Sequence, residues 1–97
     1  FRSRYGEAVA HFDRALAADP GDTTLRFARA FALFRAGELP AAERAIAELV
    51  EDLPAESELR PGLVCTRVSL LAQLGQEDEA NSALIRLCAE GPAPCCP

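Results

Sequence analysis

The sequence predicts an all-α fold, an array of about five helices built from repeated units. Three observations predict it. One pattern occurs three times, as Ala8-x-x-x-Phe12-x-x-Ala15-Leu16-x-x-x-Pro20, Ala42-x-x-x-Ile46-x-x-Leu49-x-x-x-x-Pro54 and Ala80-x-x-x-Leu84-x-x-Leu87-Cys88-x-x-x-Pro92. The first two copies lie 34 residues apart and the last two 38, and a period of this size marks stacked repeats. Apolar residues recur at spacings of three and four, which makes one stripe on a helix. Glycine and proline fall between the stripes, where a helix must stop.

The first helix is expected over residues 5–18, with Tyr5, Ala8, Val9, Phe12, Ala15 and Leu16 on its apolar face. Asp19-Pro20-Gly21-Asp22 ends it, because proline cannot continue a helix. Asp22 or Thr23 can cap the second helix, over 23–36, by accepting from its free N–H groups. That helix carries Leu25, Phe27, Ala28, Ala30, Phe31, Ala32, Leu33 and Phe34 and is apolar around much of its circumference. Gly37 ends it in the left-handed conformation that glycine tolerates.

Pro40 suits the first turn of the third helix, which buries Ala42, Ala45, Ile46 and Leu49 and runs to Leu53. The four extra residues of the longer spacing fall between Pro54 and Pro61. The fourth helix, over 61–74, shows Leu63, Val64, Val68, Leu70, Leu71 and Leu74 and stops at Gly75. The fifth, over 77–89, shows Ala80, Ala83, Leu84, Leu87 and Cys88. Residues 93–97, rich in proline, are expected as a flexible tail.

Composition excludes several function classes. The chain has 97 residues, 49% hydrophobic and 26% charged, with a formal net charge of −5. A single compact core of this size would be thin, whereas stacked repeats bury a face against each neighbour. All ten basic residues are arginine, and they form no stripe. Nucleic acid is therefore not an expected partner, since phosphate neutralisation dominates that affinity. No apolar run reaches the length of a membrane span, so membrane insertion is not expected. There is no methionine, and the chain is read as an excerpt or a processed product. The compartment stays open, leaning to the cytoplasm.

The chain resembles the tetratricopeptide repeat family, whose unit is an antiparallel helix pair. Gly37, Ala42, Ile46 and Pro54 match one unit; Gly75, Ala80, Leu84 and Pro92 match the next. Ala8, Phe12, Ala15 and Pro20 match the second helix of a unit whose first helix is missing. The expected division is thus a truncated repeat over 4–20, repeats over 23–54 and 57–92, and the tail. Some positions depart from the family. Its usual aromatic residue early in the first helix is replaced by Arg26 and Val64, and a leucine three residues later by Arg29 and Arg67. Either the arginines lie at the rim, stems packed and heads in water, or the first helices are rotated relative to the family.

The resemblance implies a right-handed superhelical solenoid whose first helices line a concave groove. It implies groove positions at Thr24, Phe27, Phe31, Phe34 and Arg35, then at Gly62, Cys65, Ser69, Ala72 and Gln73. The implied activity is protein–protein interaction, a scaffold or adaptor taking a partner segment in the groove. The alternative is a structural or docking segment of a larger enzyme or secretion assembly, with no free ligand. Phe27, Phe31 and Phe34 share a helix face on spacing alone; that face is either core or an exposed stripe that grips apolar side chains. Family members that clamp the carboxylate tail of chaperones use lysine and asparagine, where this chain has Phe27, Phe31, Cys65 and Ser69. That clamp is not expected.

No enzyme is expected, and no catalytic residue, cofactor or metal. His11 has no nucleophile or second acid near it in the sequence pattern. Glu48, Glu51, Asp52, Glu56 and Glu58 lack the spacing of an oxygen-ligand loop and read as a solvated surface. A bridge between Cys65 and Cys88 is sterically conceivable. The favoured reading is two buried thiols acting as small apolar groups, with Cys95-Cys96 incidental. Leu84, Ile85 and Leu87 are expected to be partly exposed on an uncapped end helix, giving self-association.

Overall fold

The computed structural model describes residues 2–96, with side chains from residue 4 onward. Its described residues form five α-helices: α1 (Arg2–Ala18), α2 (Thr23–Arg35), α3 (Leu39–Asp52), α4 (Arg60–Gln73) and α5 (Glu77–Glu90). α1 starts three residues earlier than the apolar stripe predicts. The other boundaries agree with the stop signals to within a residue.

The helix ends are built as the punctuation requires. Asp22 caps α2, its side chain accepting from Leu25 N–H at 3.1 Å. α2 closes with Glu38 N–H donating to Leu33 O at 2.9 Å and Gly37 N–H donating to Phe34 O at 3.1 Å. α4 closes the same way, Gln76 N–H to Leu71 O at 2.9 Å and Gly75 N–H to Ala72 O at 3.1 Å. This paired arrangement satisfies the last carbonyls and needs a left-handed residue just past the helix. Gly37 and Gly75 supply it, at φ 84° and 81°. The extra residues before α4 form turns: Ser57 N–H donates to Pro54 O at 3.0 Å and Arg60 N–H to Ser57 O at 3.2 Å. Pro61 then sits in the first turn of α4, where a missing N–H is harmless.

The chain divides into two compact units, Phe1–Ala45 and Ile46–Pro97, with the boundary inside α3. In the first unit α1 packs on α2. Ala30, Ala32, Leu33, Ala36 and Ala42 are its buried apolar residues. Arg29 of α2 also pairs with Asp13 of α1, so the arginine at the family's leucine position lies at the rim and crosslinks the two helices. In the second unit α4 packs on α5, and Ile46, Leu49, Leu63, Leu70, Leu71, Ala80 and Leu87 are buried. No polar or charged described residue is buried, so neither core carries a desolvation cost of that kind.

Two expectations are corrected here. Leu87 is buried, because it faces α4 across the helix pair; Ile85, two residues away and on the other side of α5, is 70% exposed. The cysteines are not buried thiols, and Cys65 is not bonded to Cys88. Cys65 is bonded to Cys95 and Cys88 to Cys96. The residues after α5 turn back onto the helix pair, so each helical cysteine meets its own tail cysteine with Cα atoms 5.7 Å apart, within bridging range. Residues 93–96, expected as a free tail, are held by these two bonds; Pro97 lies outside the described residues.

Candidate functional site

α2 and its C-cap turn Ala30, Ala32, Leu33 and Ala36 to the core. Three of these four are alanines, which let helices approach closely and leave little room for rings on that side. The phenylalanines at spacings of four and three project elsewhere. Phe27 is 43% exposed and Phe31 47%, while Phe34 is half-buried and Thr24 and Arg35 are exposed. Neither Phe27 nor Phe31 is a core residue.

These side chains touch one another. The guanidinium carbon of Arg35 lies 5.0 Å from the centroid of the Phe31 ring, a cation–π distance. The Phe31 and Phe34 rings are 6.5 Å apart and tilted by 47°. Phe31 thus touches a cation and a second ring, both one turn further along its own helix. A ring already ordered in this way loses little freedom if another surface covers it.

The remaining sequence-predicted positions lie on α4, in the second unit. Ser69 and Gln73 are exposed and Cys65 is half-buried. The three follow one another at intervals of four along one side of the helix. Cys65 is not a free side chain there, since Cys95 is bonded to it. Gly62 and Ala72 are also exposed.

The second unit holds one feature that the sequence pattern does not announce, a cavity of about 220 Å³ lined by Val50, Val64, Arg67, Ala83, Arg86 and others. Arg60 and Glu90 at its edge are paired at 3.4 Å. Val64 stands where the family usually has a large aromatic residue, so a smaller side chain meets this space. Departure from the family pattern is the signal that could have located it.

Chemistry is sparse elsewhere. His11 is exposed, its ring edge-on to Phe12 at 6.1 Å. No group of three or more His, Cys, Asp or Glu among the described residues is placed to hold a metal ion. No helix among them is long and apolar enough to cross a membrane.

A family model described as tetratricopeptide repeat matches residues 2–63, more than half of the chain. No curated protein and no solved structure matches it. Family members of this kind are generally protein–protein interaction modules. Helix pairs closed by Gly37 and Gly75, the repeated alanine–apolar–proline pattern and the family match agree: the chain belongs to the tetratricopeptide repeat family.

Proposed function

We propose that the chain is a protein-binding module whose partner segment is gripped by the exposed face of α2. The observation that carries this reading is the exposure of Phe27 and Phe31 on a well-capped helix, 43% and 47% respectively. Burying the exposed half of a phenylalanine ring removes on the order of 80 Å² of apolar surface from water, about 2 kcal/mol per ring at ~25 cal/mol per Å². Two such rings supply about half of the ~8 kcal/mol of a micromolar contact, before its ordering costs. Arg35, exposed beside Phe31, selects an acidic group next to the partner's apolar anchors. Thr24 and Phe34 flank the rings; in the second unit, considered by itself, Ser69 and Gln73 form a separate exposed row on α4.

The test is selection of peptides from a random displayed library on the immobilised chain, followed by titration against Phe31→Ala. Selected peptides should carry apolar residues with an acidic neighbour, and Phe31→Ala should weaken them at least tenfold with helicity unchanged. Selected peptides that bind Phe31→Ala as well as the parent chain would sink the reading.

A second reading, docking or self-association in a larger assembly with no free ligand, is favoured by one observation. Ile85 on α5 is 70% exposed, the most of any large hydrophobic side chain among the described residues.

A further inference from the structure

Residues 91–96 leave α5 and carry no charged side chain and no helix. Cys96 N–H donates to Ala93 O at 3.0 Å, closing a turn. In that turn neighbouring side chains diverge, so Cys95 reaches α4 and Cys96 reaches α5. Cys95 is bonded to Cys65 near the start of α4, and its N–H also lies 3.3 Å from Cys65 Sγ. Cys96 is bonded to Cys88 in the last turn of α5. The two bonds close loops of very different size, with sequence separations of 30 and 8. Together they tie both helices of the pair to one dipeptide, and no described cysteine is left free.

We propose that residues 91–96 are a redox-operated clasp on the α4–α5 pair, closed by the Cys65–Cys95 and Cys88–Cys96 bonds and opened by a dithiol reductant. In opening, a thiolate of the reductant attacks one sulfur of a bridge and expels the other as a thiolate, which takes up a proton. The reductant's second thiol then displaces the mixed disulfide, releasing the second cysteine thiol. Each bridge gains two electrons and two protons, and each dithiol leaves as a disulfide. Two dithiols open the clasp completely. It therefore stays shut in an oxidising compartment and opens where thiols are kept reduced. Closing a long loop removes freedom from the unfolded chain, so the stability of the second unit follows the redox state. The closed clasp also seats Cys95 on the Cys65 end of the α4 surface, above Ser69 and Gln73. That last consequence rests on the proposed partner-binding surface; the opening does not.

The test uses the full chain, oxidised in air and then treated with dithiothreitol. Mass mapping of the oxidised chain, cut after arginine and glutamate, should link the Cys65 peptide to the peptide holding Cys95 and Cys96. Dithiothreitol should add four hydrogens and lower the melting midpoint by roughly 20 °C or more, the effect expected for loops of these sizes. The double variant Cys95→Ser with Cys96→Ser should melt at the reduced value with or without dithiothreitol. A Cys65–Cys88 or Cys95–Cys96 linkage in the map would overturn the proposal, as would oxidised and reduced chains melting at the same temperature. Mapping and melting involve no partner, so failure of the α2 reading would leave both results standing.

Discussion

Phe31 and Leu70 show how position, rather than chemistry, assigns a large apolar residue its task. Leu70 is fully buried and Phe31 is about half exposed. Truncating Leu70 to alanine leaves a cavity and should cost about 2–5 kcal/mol of stability. Truncating Phe31 to alanine should cost less than about 1 kcal/mol, since half its surface is in water already. Chemical denaturation of the two variants checks this contrast. A large loss from Phe31→Ala would place its ring in the core and remove the ground for the binding proposal. Arg29 teaches a related point. It stands where an apolar residue is usual in this family, yet its pairing with Asp13 lets it bridge α1 and α2 from the rim. An exposed pair of this kind contributes at most about 1 kcal/mol, so it sets register more than stability.

Among the elements, the ends of α2 and α4 are the most strictly specified. Both close on a glycine with positive φ, 84° at Gly37 and 81° at Gly75. A Cβ built on Gly75 meets no atom within 4 Å. Any cost of Gly75→Ala therefore comes from backbone conformation alone, about 1–2 kcal/mol. Thermal unfolding of Gly75→Ala should show a drop of several degrees, with far-ultraviolet helicity retained below the transition. The start of α2 gives a matching prediction. Asp22→Ala removes the bond to Leu25 N–H and should cost about 1 kcal/mol, whereas Asp22→Ser should restore most of it. Equal stability of the alanine and serine variants would show that the cap contributes nothing. α5 lacks a side-chain cap but begins Glu77-Asp78-Glu79. Three carboxylates at the positive end of the helix dipole serve in its place.

For the whole molecule, what matters is how much apolar surface is left over. Each unit has a small core without a polar group, and Ile85 remains outside it. Sedimentation at rising concentration should show reversible association that Ile85→Glu abolishes. A strict monomer throughout would leave peptide binding as the reading to pursue. The two disulfides make the second unit differ from the first in kind, since Cys65 and Cys88 are stapled through Cys95 and Cys96 while the first unit contains no cysteine.

Five helices, their stops at Gly37 and Gly75, the start signal at Asp22 and membership of a helical repeat family were all legible in the residues. The helices and their end signals depend on neighbours three to five positions away, and family membership on the return of those signals after 34 and 38 residues. The aromatic stripe of α2 was legible as a shared face too, but not as an exposed one. Spacing says which side chains point together; only packing says what lies opposite them, and here the alanines of α2 took the core side. The cysteine pairing lay further out of reach. Four cysteines allow three pairings, and the separations of 30 and 8 residues give no preference until the chain after α5 folds back. Tertiary structure alone brought Cys95 to Cys65 and Cys96 to Cys88, because bond formation requires Cα atoms within a few ångströms and no local pattern fixes that distance.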